Sequence, residues 1–322
     1  MIVVTGGAGF IGSCIVARLN AEGHNDLLIV DHVPDGDAKK DNLQNKSYGK
    51  YYDKEEFLAL VQKDKLSSGI KSLIHMGAWS STTGQDVAYY EKNNFQYSCH
   101  LAQWALAHRA RFIYASSAAT YGDGHLGYQD DHQIIPRLKP LNLYGQSKQK
   151  FDQWVLDRGY IDRVVGLKFF NVFGPNEYHK GDMRSVIAKS YDRVVREGKM
   201  SLFKSYKKEY ADGEQKRDFI YVKDAVDVVM YFLKQPDING IYNVGSGEAR
   251  TWNDLAKALF TAAGKPFNIE YVEMPADLRG KYQYLTQADM TKLRRSGYTT
   301  PFTSLEKAVE DYAKYLKAKD HL

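Results

Sequence analysis

Tyr144 and Lys148 stand four residues apart in a stretch, 144–158, whose apolar spacing reads as a helix. Their side chains therefore fall on one helical face. A phenol ordinarily titrates near pH 10. Working as a base near neutrality requires a fall to about 7, or roughly 4 kcal/mol. A lysine ammonium one turn away is one source of that fall. Tyr-x-x-x-Lys alone is common in helices. It gains weight from Tyr114-Ala115-Ser116-Ser117-Ala118-Ala119-Thr120-Tyr121-Gly122, where hydroxyls follow an apolar run that reads as a buried strand. Ligands of open α/β sheets bind at the carboxyl ends of strands. Ser117 placed there can hydrogen-bond an alcohol oxygen undergoing oxidation and share its proton with Tyr144.

A second group lies at the start of the chain. Gly6, Gly9 and Gly12, with Phe10 and Ile11 between them, follow a strand-like run and open a helix. Glycines at this spacing let the backbone turn tightly and approach a pyrophosphate, which meets the helix N-terminal N–H groups. A glycine pattern alone is weak, but here an acid, Asp31, ends the next apolar run about 20 residues on. A carboxylate there accepts hydrogen bonds from a ribose hydroxyl and favours NAD. His32, Lys39 and Lys40 are close enough to neutralise a 2′-phosphate, so the residues leave NAD and NADP both open.

These groups need a scaffold. Residues 2–4, 27–30, 72–76, 111–115 and 164–170 are apolar runs without strict alternation, as expected of strands buried on both faces. Amphipathic stretches at 13–22, 87–108 and 144–158 separate them. Alternation of this kind predicts an α/β protein with a Rossmann-type doubly wound parallel sheet. We place the cofactor-binding domain at 1–174. A smaller C-terminal α/β substrate lobe follows at 175–322, with some segments returning to the sheet. Its predicted strands are 201–203, 218–222, 240–244 and 269–273, and its helices 223–233, 252–263 and 303–318. The polar stretch 204–217 reads as an exposed loop.

Composition narrows the classes. The 322 residues are 43% hydrophobic and carry a net charge of +5, enough for a sizeable core and mildly favourable to an anionic ligand. No basic patch interleaved with aromatics suggests nucleic acid. No apolar run of about 18 residues suggests a membrane span. The two cysteines, Cys14 and Cys99, lack the spacing of a metal site and read as buried thiols. No metal is expected. Removing a leader would remove the first strand, so no cleavable signal is expected and the cytoplasm is the expected compartment.

Together with Phe169-Phe170-Asn171-Val172-Phe173-Gly174-Pro175, these motifs resemble the extended short-chain dehydrogenases, which include nucleotide-sugar epimerases and dehydratases. Further segments narrow the resemblance to the group acting at C6″ of ADP-heptose. They are Gly77-Ala78-Trp79-Ser80-Ser81-Thr82-Thr83, His179-Lys180-Gly181, Lys216-Arg217-Asp218-Phe219 and Gly280-Lys281-Tyr282-Gln283. The resemblance runs nearly end to end. It implies redox-neutral epimerisation with bound NADP, a nucleotide-sugar substrate, a product destined for the lipopolysaccharide inner core, and a homo-oligomer, with pentamers among relatives. It also implies residue roles. Ser117, Tyr144, Lys148 and Lys180 would be catalytic, with Lys148 holding the nicotinamide ribose and depressing the Tyr144 phenol. Phe10, Ile11, His32, Lys39, Lys54, Met76, Gly77, Ala78, Ser80, Asn93, Val172 and Lys180 would join the glycines and Asp31 around the cofactor. Ser81, Asn171, Asp182, Lys189, Phe203, Arg217 and Tyr282 would face the substrate. Arg217 suits a diphosphate because its fork forms paired hydrogen bonds.

The chain departs from this group in places. Residues 206–215 look inserted, and Asp182 and Lys189 stand where a serine and a histidine are expected. A UDP-hexose 4-epimerase is the nearest alternative. A 4,6-dehydratase would need an acid pair where Ala118 and Ala119 stand. A cofactor-sensing protein without catalysis would be expected to have lost Tyr144 or Lys148.

Overall fold

The computed structural model describes residues 1–67, 69–280 and 282–322, so Lys281 of the Gly280–Gln283 motif lies outside the described residues. Twelve strands are described: β1 Ile2–Thr5, β2 Leu27–Asp31, β3 Lys50–Asp53, β4 Ser72–His75, β5 Arg111–Ser117, β6 Val164–Phe169, β7 Asn171–Phe173, β8 Met200–Phe203, β9 Lys216–Tyr221, β10 Gly240–Val244, β11 Ala249–Thr251 and β12 Ile269–Val272. The helices are α1 Phe10–Ala21, α2 Lys54–Gln62, α3 Val87–Tyr90, α4 Tyr97–Ala107, α5 Leu143–Asp157, α6 Val186–Glu197, α7 Val222–Lys234, α8 Trp252–Ala262, α9 Ala276–Arg279, α10 Thr291–Arg295 and α11 Leu305–Ala318.

Seven strands form one sheet in the order β10-β6-β5-β4-β1-β2-β3, and every neighbouring pair is parallel. This is the doubly wound sheet expected from the alternating runs. Apart from the edge strand β3, which has no buried residue, its strands are buried on both faces because successive side chains enter different cores. Val4, Ile29 and Ile74 join the core containing α1, α7, α8 and α11. Their neighbours Val3, Leu28 and Leu73 join the core containing α2, α4 and α5. Strand order reverses beside β1, where Thr5 pairs with His75 of β4. A crevice opens beyond the carboxyl ends at such a point. A three-stranded sheet, β11-β9-β7, and a two-stranded one, β12-β8, complete the fold. Among the described residues no helix is long and apolar enough to cross a membrane, and both cysteines are buried.

Some local expectations change. Strand β3 is additional to the predicted set. β5 continues through Ser117, so the key hydroxyl ends the strand, paired with Phe169 of β6. The helix expected over 87–108 is interrupted: a π-helical segment, Glu91–Gln96, separates α3 from α4. The stretch 204–217 is not wholly an exposed loop. Lys216 and Arg217 begin β9, and Gln215 and Arg217 are buried.

Candidate active site

Above β1 the chain turns through Gly6, whose φ of +67° is in the left-handed region. A Cβ there would lie 2.6 Å from the Gly77 nitrogen. A Cβ at Gly12 would overlap the Gly6 carbonyl oxygen, so the loop and the first turn of α1 close directly upon each other. Gly9 is the N-cap of α1, with no side-chain cap and no acidic residue in the first turn. The helix N-terminal donors are thus left for an anion. This cradle fits a dinucleotide pyrophosphate.

Asp31 ends β2 and holds the loop. Its Oδ2 accepts the Ala8 N–H at 2.9 Å, and its Oδ1 accepts the His32 N–H at 2.8 Å. Lys39 Nζ lies 2.8 Å from the same Oδ1. The acid and the base that favour different cofactors are therefore an ion pair. His32 turns its ring away, with Nδ1 2.8 Å from Asp53.

On the other side of β1, Tyr144 opens α5, whose N-terminus is capped by Asn142 Oδ1 accepting the Gly145 N–H at 2.8 Å. Ser117 faces it, and its Oγ accepts the Ala119 N–H at 3.1 Å. Burial raises the Tyr144 phenol above its ordinary value, while its hydrogen bond with the Ser117 hydroxyl works the other way. The depression expected from Lys148 is not found. Its ammonium is 6.0 Å from the Tyr144 ring centre and donates to the Ala115 carbonyl at 2.8 Å. Geometry explains this: one helical turn aligns the two side chains, but the carbonyl at the end of β5 claims the ammonium. Burial pushes Lys148 down to about 8, with Asp152 raising it in part.

Behind these groups runs a buried polar chain that connects the glycine loop to α5. Thr5 Oγ1 meets His75 Nδ1 at 2.6 Å, and His75 Nε2 meets Ser98 Oγ at 2.8 Å. Asn94, in the π-helical segment, donates to Ser147 Oγ at 2.9 Å. Ser147 donates to the Tyr144 carbonyl at 2.7 Å. Burial, and then Lys148, lower His75 to about 3, so its ring is a neutral connector.

One cavity of about 730 Å³ gathers most of the sequence-predicted residues. Gly6, Gly9, Phe10, Ile11, Gly12, Asp31, Lys39, Met76, Gly77, Ala78, Ser80 and Ser81 line it. So do Ser117, Tyr144, Lys148, Asn171, Val172 and Lys180. Lys180 comes from the 3₁₀ segment Tyr178–Met183. Its ammonium sits 5.3 Å over the Phe10 ring, and burial lowers its pKa.

Other predicted residues stand outside that lining. Lys54 donates to Asn93 Oδ1 at 2.6 Å. Lys189 reaches the Asp182 carbonyl at 3.3 Å, both on the exposed surface, and Phe203 is half-buried in β8. Arg217 and Tyr282 lie behind Trp252, which does line the cavity. The Trp252 Nε1–H donates to Tyr282 at 2.8 Å, and the Arg217 guanidinium rests 4.9 Å over the Tyr282 ring. Arg217 is 7% exposed, and burial lowers its pKa. Trp252, Phe219, Met183 and Arg184 also line the cavity and were missed. Phe219 closes the Lys216–Phe219 motif without having been singled out, whereas Trp252, Met183 and Arg184 belong to none of the quoted motifs and only the fold brings them there.

A dinucleotide cradle whose open end carries a tyrosine, a serine and a second lysine is suited to redox chemistry at a hydroxyl-bearing carbon. The chain belongs to the NAD dependent epimerase/dehydratase family, which matches residues 2–245. Over 321 residues it is 51% identical to the ADP-L-glycero-D-manno-heptose-6-epimerase of Nitratidesulfovibrio vulgaris (strain DP4), with 99% of each chain covered. The same-named protein of Fusobacterium nucleatum is 45% identical, again over 99% of each chain. The crystal structure of Helicobacter pylori ADP-L-glycero-D-manno-heptose-6-epimerase aligns with a TM-score of 0.80 at 28% identity, covering 98% of this chain and 96% of that one.

Proposed function

We propose that this chain converts ADP-D-glycero-D-manno-heptose to its L-glycero epimer by inverting C6″, with NADP as resident cofactor, for the lipopolysaccharide inner core. The observation that carries the reading is that two candidate acid/base groups, Tyr144 and Lys180, line one cavity with the glycine cradle. The full-length similarity to the heptose epimerases supports the substrate.

An unactivated carbinol carbon is a very weak acid, so inversion by direct deprotonation is blocked. Bound NADP supplies a reversible hydride acceptor instead. Ser117 holds the C6″ oxygen, and Tyr144 takes or returns its proton. Lys180 does the same when the opposite face of the carbon is presented. Lys148 holds the nicotinamide ribose. Arg217 and Tyr282 stand behind Trp252, outside the cavity lining, and the resemblance to the heptose epimerases is what assigns them to the substrate, Arg217 to its diphosphate. The same reading divides the chain into a cofactor half, 1–174, and a substrate lobe, 175–322, and makes it a homo-oligomer in the cytoplasm.

The test is to incubate purified protein with ADP-D-glycero-D-manno-heptose, without added cofactor, and resolve the C6″ epimers by chromatography. The L-glycero epimer is expected. No conversion, even with added NADP or NAD, would overturn the heptose assignment and direct the search to UDP- and dTDP-hexoses.

A further inference from the structure

The turn carrying His179 and Lys180 is fastened to the glycine loop by a side chain that belongs to none of the motifs. Asn42 lies in the 3₁₀ segment Ala38–Leu43 and is 1% exposed. Its Nδ2 donates to the Ala8 carbonyl at 2.9 Å and to the Asn176 carbonyl at 3.0 Å, and lies 3.2 Å from His179 Nδ1. Its Oδ1 meets His321 Nδ1 at 2.8 Å. The amide has one workable orientation: flipped, its oxygen would face two carbonyl oxygens.

Both ends of this bridge matter to the site. Ala8 is held through both of its backbone groups, its N–H by Asp31 and its carbonyl by Asn42. That carbonyl is therefore turned out of the loop, leaving the neighbouring N–H groups to face an anion. At the other end, Asn176 lies four residues before Lys180. Its own side chain donates to Ser13 of α1 at 2.9 Å and accepts the Leu322 N–H at 2.8 Å. Beyond Lys180 comes Gly181, with φ +53°, a conformation that favours glycine. No ion pair holds the Lys180 ammonium among the described residues. Its place is set by the backbone of the turn, which Asn42 fastens to the glycine loop, while Asn176, Tyr178 and Glu177 anchor the turn to other segments.

We propose that Asn42 is a positioning residue that holds the Lys180 ammonium in register with the glycine loop, so that cofactor cradle and second acid/base group form one unit. This rests on the reading of Lys180 as an acid/base group.

The test uses the full-length holoprotein and two variants, Asn42→Ala and Asn42→Asp. The aspartate is nearly isosteric, keeps an acceptor for His321 and loses both donors. Turnover of ADP-heptose is expected to fall at least tenfold in each, with KM changed less than threefold. In a Lys180→Met background, followed over long incubations, Asn42→Ala should cause no further loss. In a Tyr144→Phe background its full loss should multiply. A second readout needs no turnover: the pH dependence of Lys180 acetylation, read by peptide mass spectrometry. In Asn42→Ala the Lys180 pKa should rise toward that of an ordinary lysine, as the opened turn re-solvates the ammonium.

A lowered melting temperature with unchanged turnover and unchanged Lys180 titration would make Asn42 purely structural and overturn the proposal. So would a loss that multiplies with that of Lys180→Met. If the wild type does not convert ADP-heptose, the functional reading fails separately, and the acetylation titration still decides the role of Asn42. Should Asn42→Ala not fold, Asn42→Asp carries the same titration, and an unshifted Lys180 in it overturns the proposal.

Discussion

Asp152 Oδ2 and Lys168 Nζ meet at 2.6 Å, and neither side chain is exposed. Tyr114 donates to Asp152 Oδ1 at 2.9 Å, and Ser116 donates to Oδ2 at 2.7 Å. Lys168 also donates to Thr120 Oγ1 at 2.7 Å, and Thr120 returns a bond to the Ser117 carbonyl at 2.8 Å. The pair thus sits directly behind the segment that presents Ser117. Removing one partner of a buried pair typically costs about 3–5 kcal/mol, because the other charge is stranded, whereas removing both is often near neutral. Lys168→Met should therefore lower the unfolding free energy by about 3–5 kcal/mol. Asp152→Asn with Lys168→Met should recover most of it, as measured by denaturant titration. Equal losses in the single and double variants would mean that the charges are not what the core depends on.

The same aspartate bears on the pH profile. Lys148 is one helical turn from Asp152 and from Tyr144, and it bonds the Ala115 carbonyl. The other titratable group facing it is His75, which stays neutral above about pH 3. With burial holding Lys148 at about 8, the ammonium is present below that pH and lost above it. If the cation holds the cofactor ribose, kcat should decline as pH rises through about 8. The stability sign runs the other way. Between about 8 and the ordinary lysine value the unfolded chain holds a proton that the folded one lacks, so this group makes stability rise with pH there. Lys148→Met should remove both effects. Asp152→Asn alone should move the alkaline limb to lower pH, since Asp152 favours the ammonium. A limb that does not move would separate Asp152 from Lys148 function.

Tyr144→Phe keeps the ring and removes the phenol. It should retain cofactor and lose about 100-fold or more in turnover, the usual scale for a positioned acid or base. Lys180→Met keeps roughly the length of the side chain and removes the ammonium that lies over Phe10. It should lower kcat by a similar factor while KM moves little. Steady-state kinetics on ADP-heptose check both. Full activity in the Lys180 variant would return that residue to a solvated-lysine role.

Much of this site was legible because its signals are local. Glycine spacing, Asp31 at the end of a run, and a tyrosine and lysine one turn apart each follow from short-range geometry. The parallel sheet was legible from apolar runs that lack alternation, since both faces are buried. The remainder depends on long-range contact. The ammonium of Lys148 goes to Ala115, a residue 33 positions away, and no helical periodicity reports that. Trp252 reaches the cavity only because α8 packs there. The π-helical break at Glu91–Gln96 carries no glycine or proline to mark it. Asp152 was the nearest miss: it continues the i, i+4 face of Tyr144 and Lys148, so helical spacing alone could have singled it out.

If NADP is the resident cofactor, its preference over NAD should turn on Lys39. Its ammonium is 2.8 Å from Asp31 Oδ1, and that carboxylate already accepts the Ala8 and His32 N–H groups. Asp31 is thus engaged by three donors and its charge is partly offset. That lessens the repulsion a bare carboxylate would exert on a 2′-phosphate, and leaves Lys39, which lines the cavity, within reach of one. Asp37 accepts the Lys39 backbone N–H at 2.9 Å and holds the residue in place. Lys39→Ala should therefore weaken NADP by at least tenfold, about 1.4 kcal/mol, while NAD binding stays within threefold of wild type. His32 is turned to Asp53, so His32→Ala should change neither by more than threefold. Fluorescence titration of the cofactor-stripped wild type and both variants with each cofactor measures all six constants. Equal weakening of NAD and NADP by Lys39→Ala would show that Lys39 braces Asp31 and the loop and does not read the phosphate.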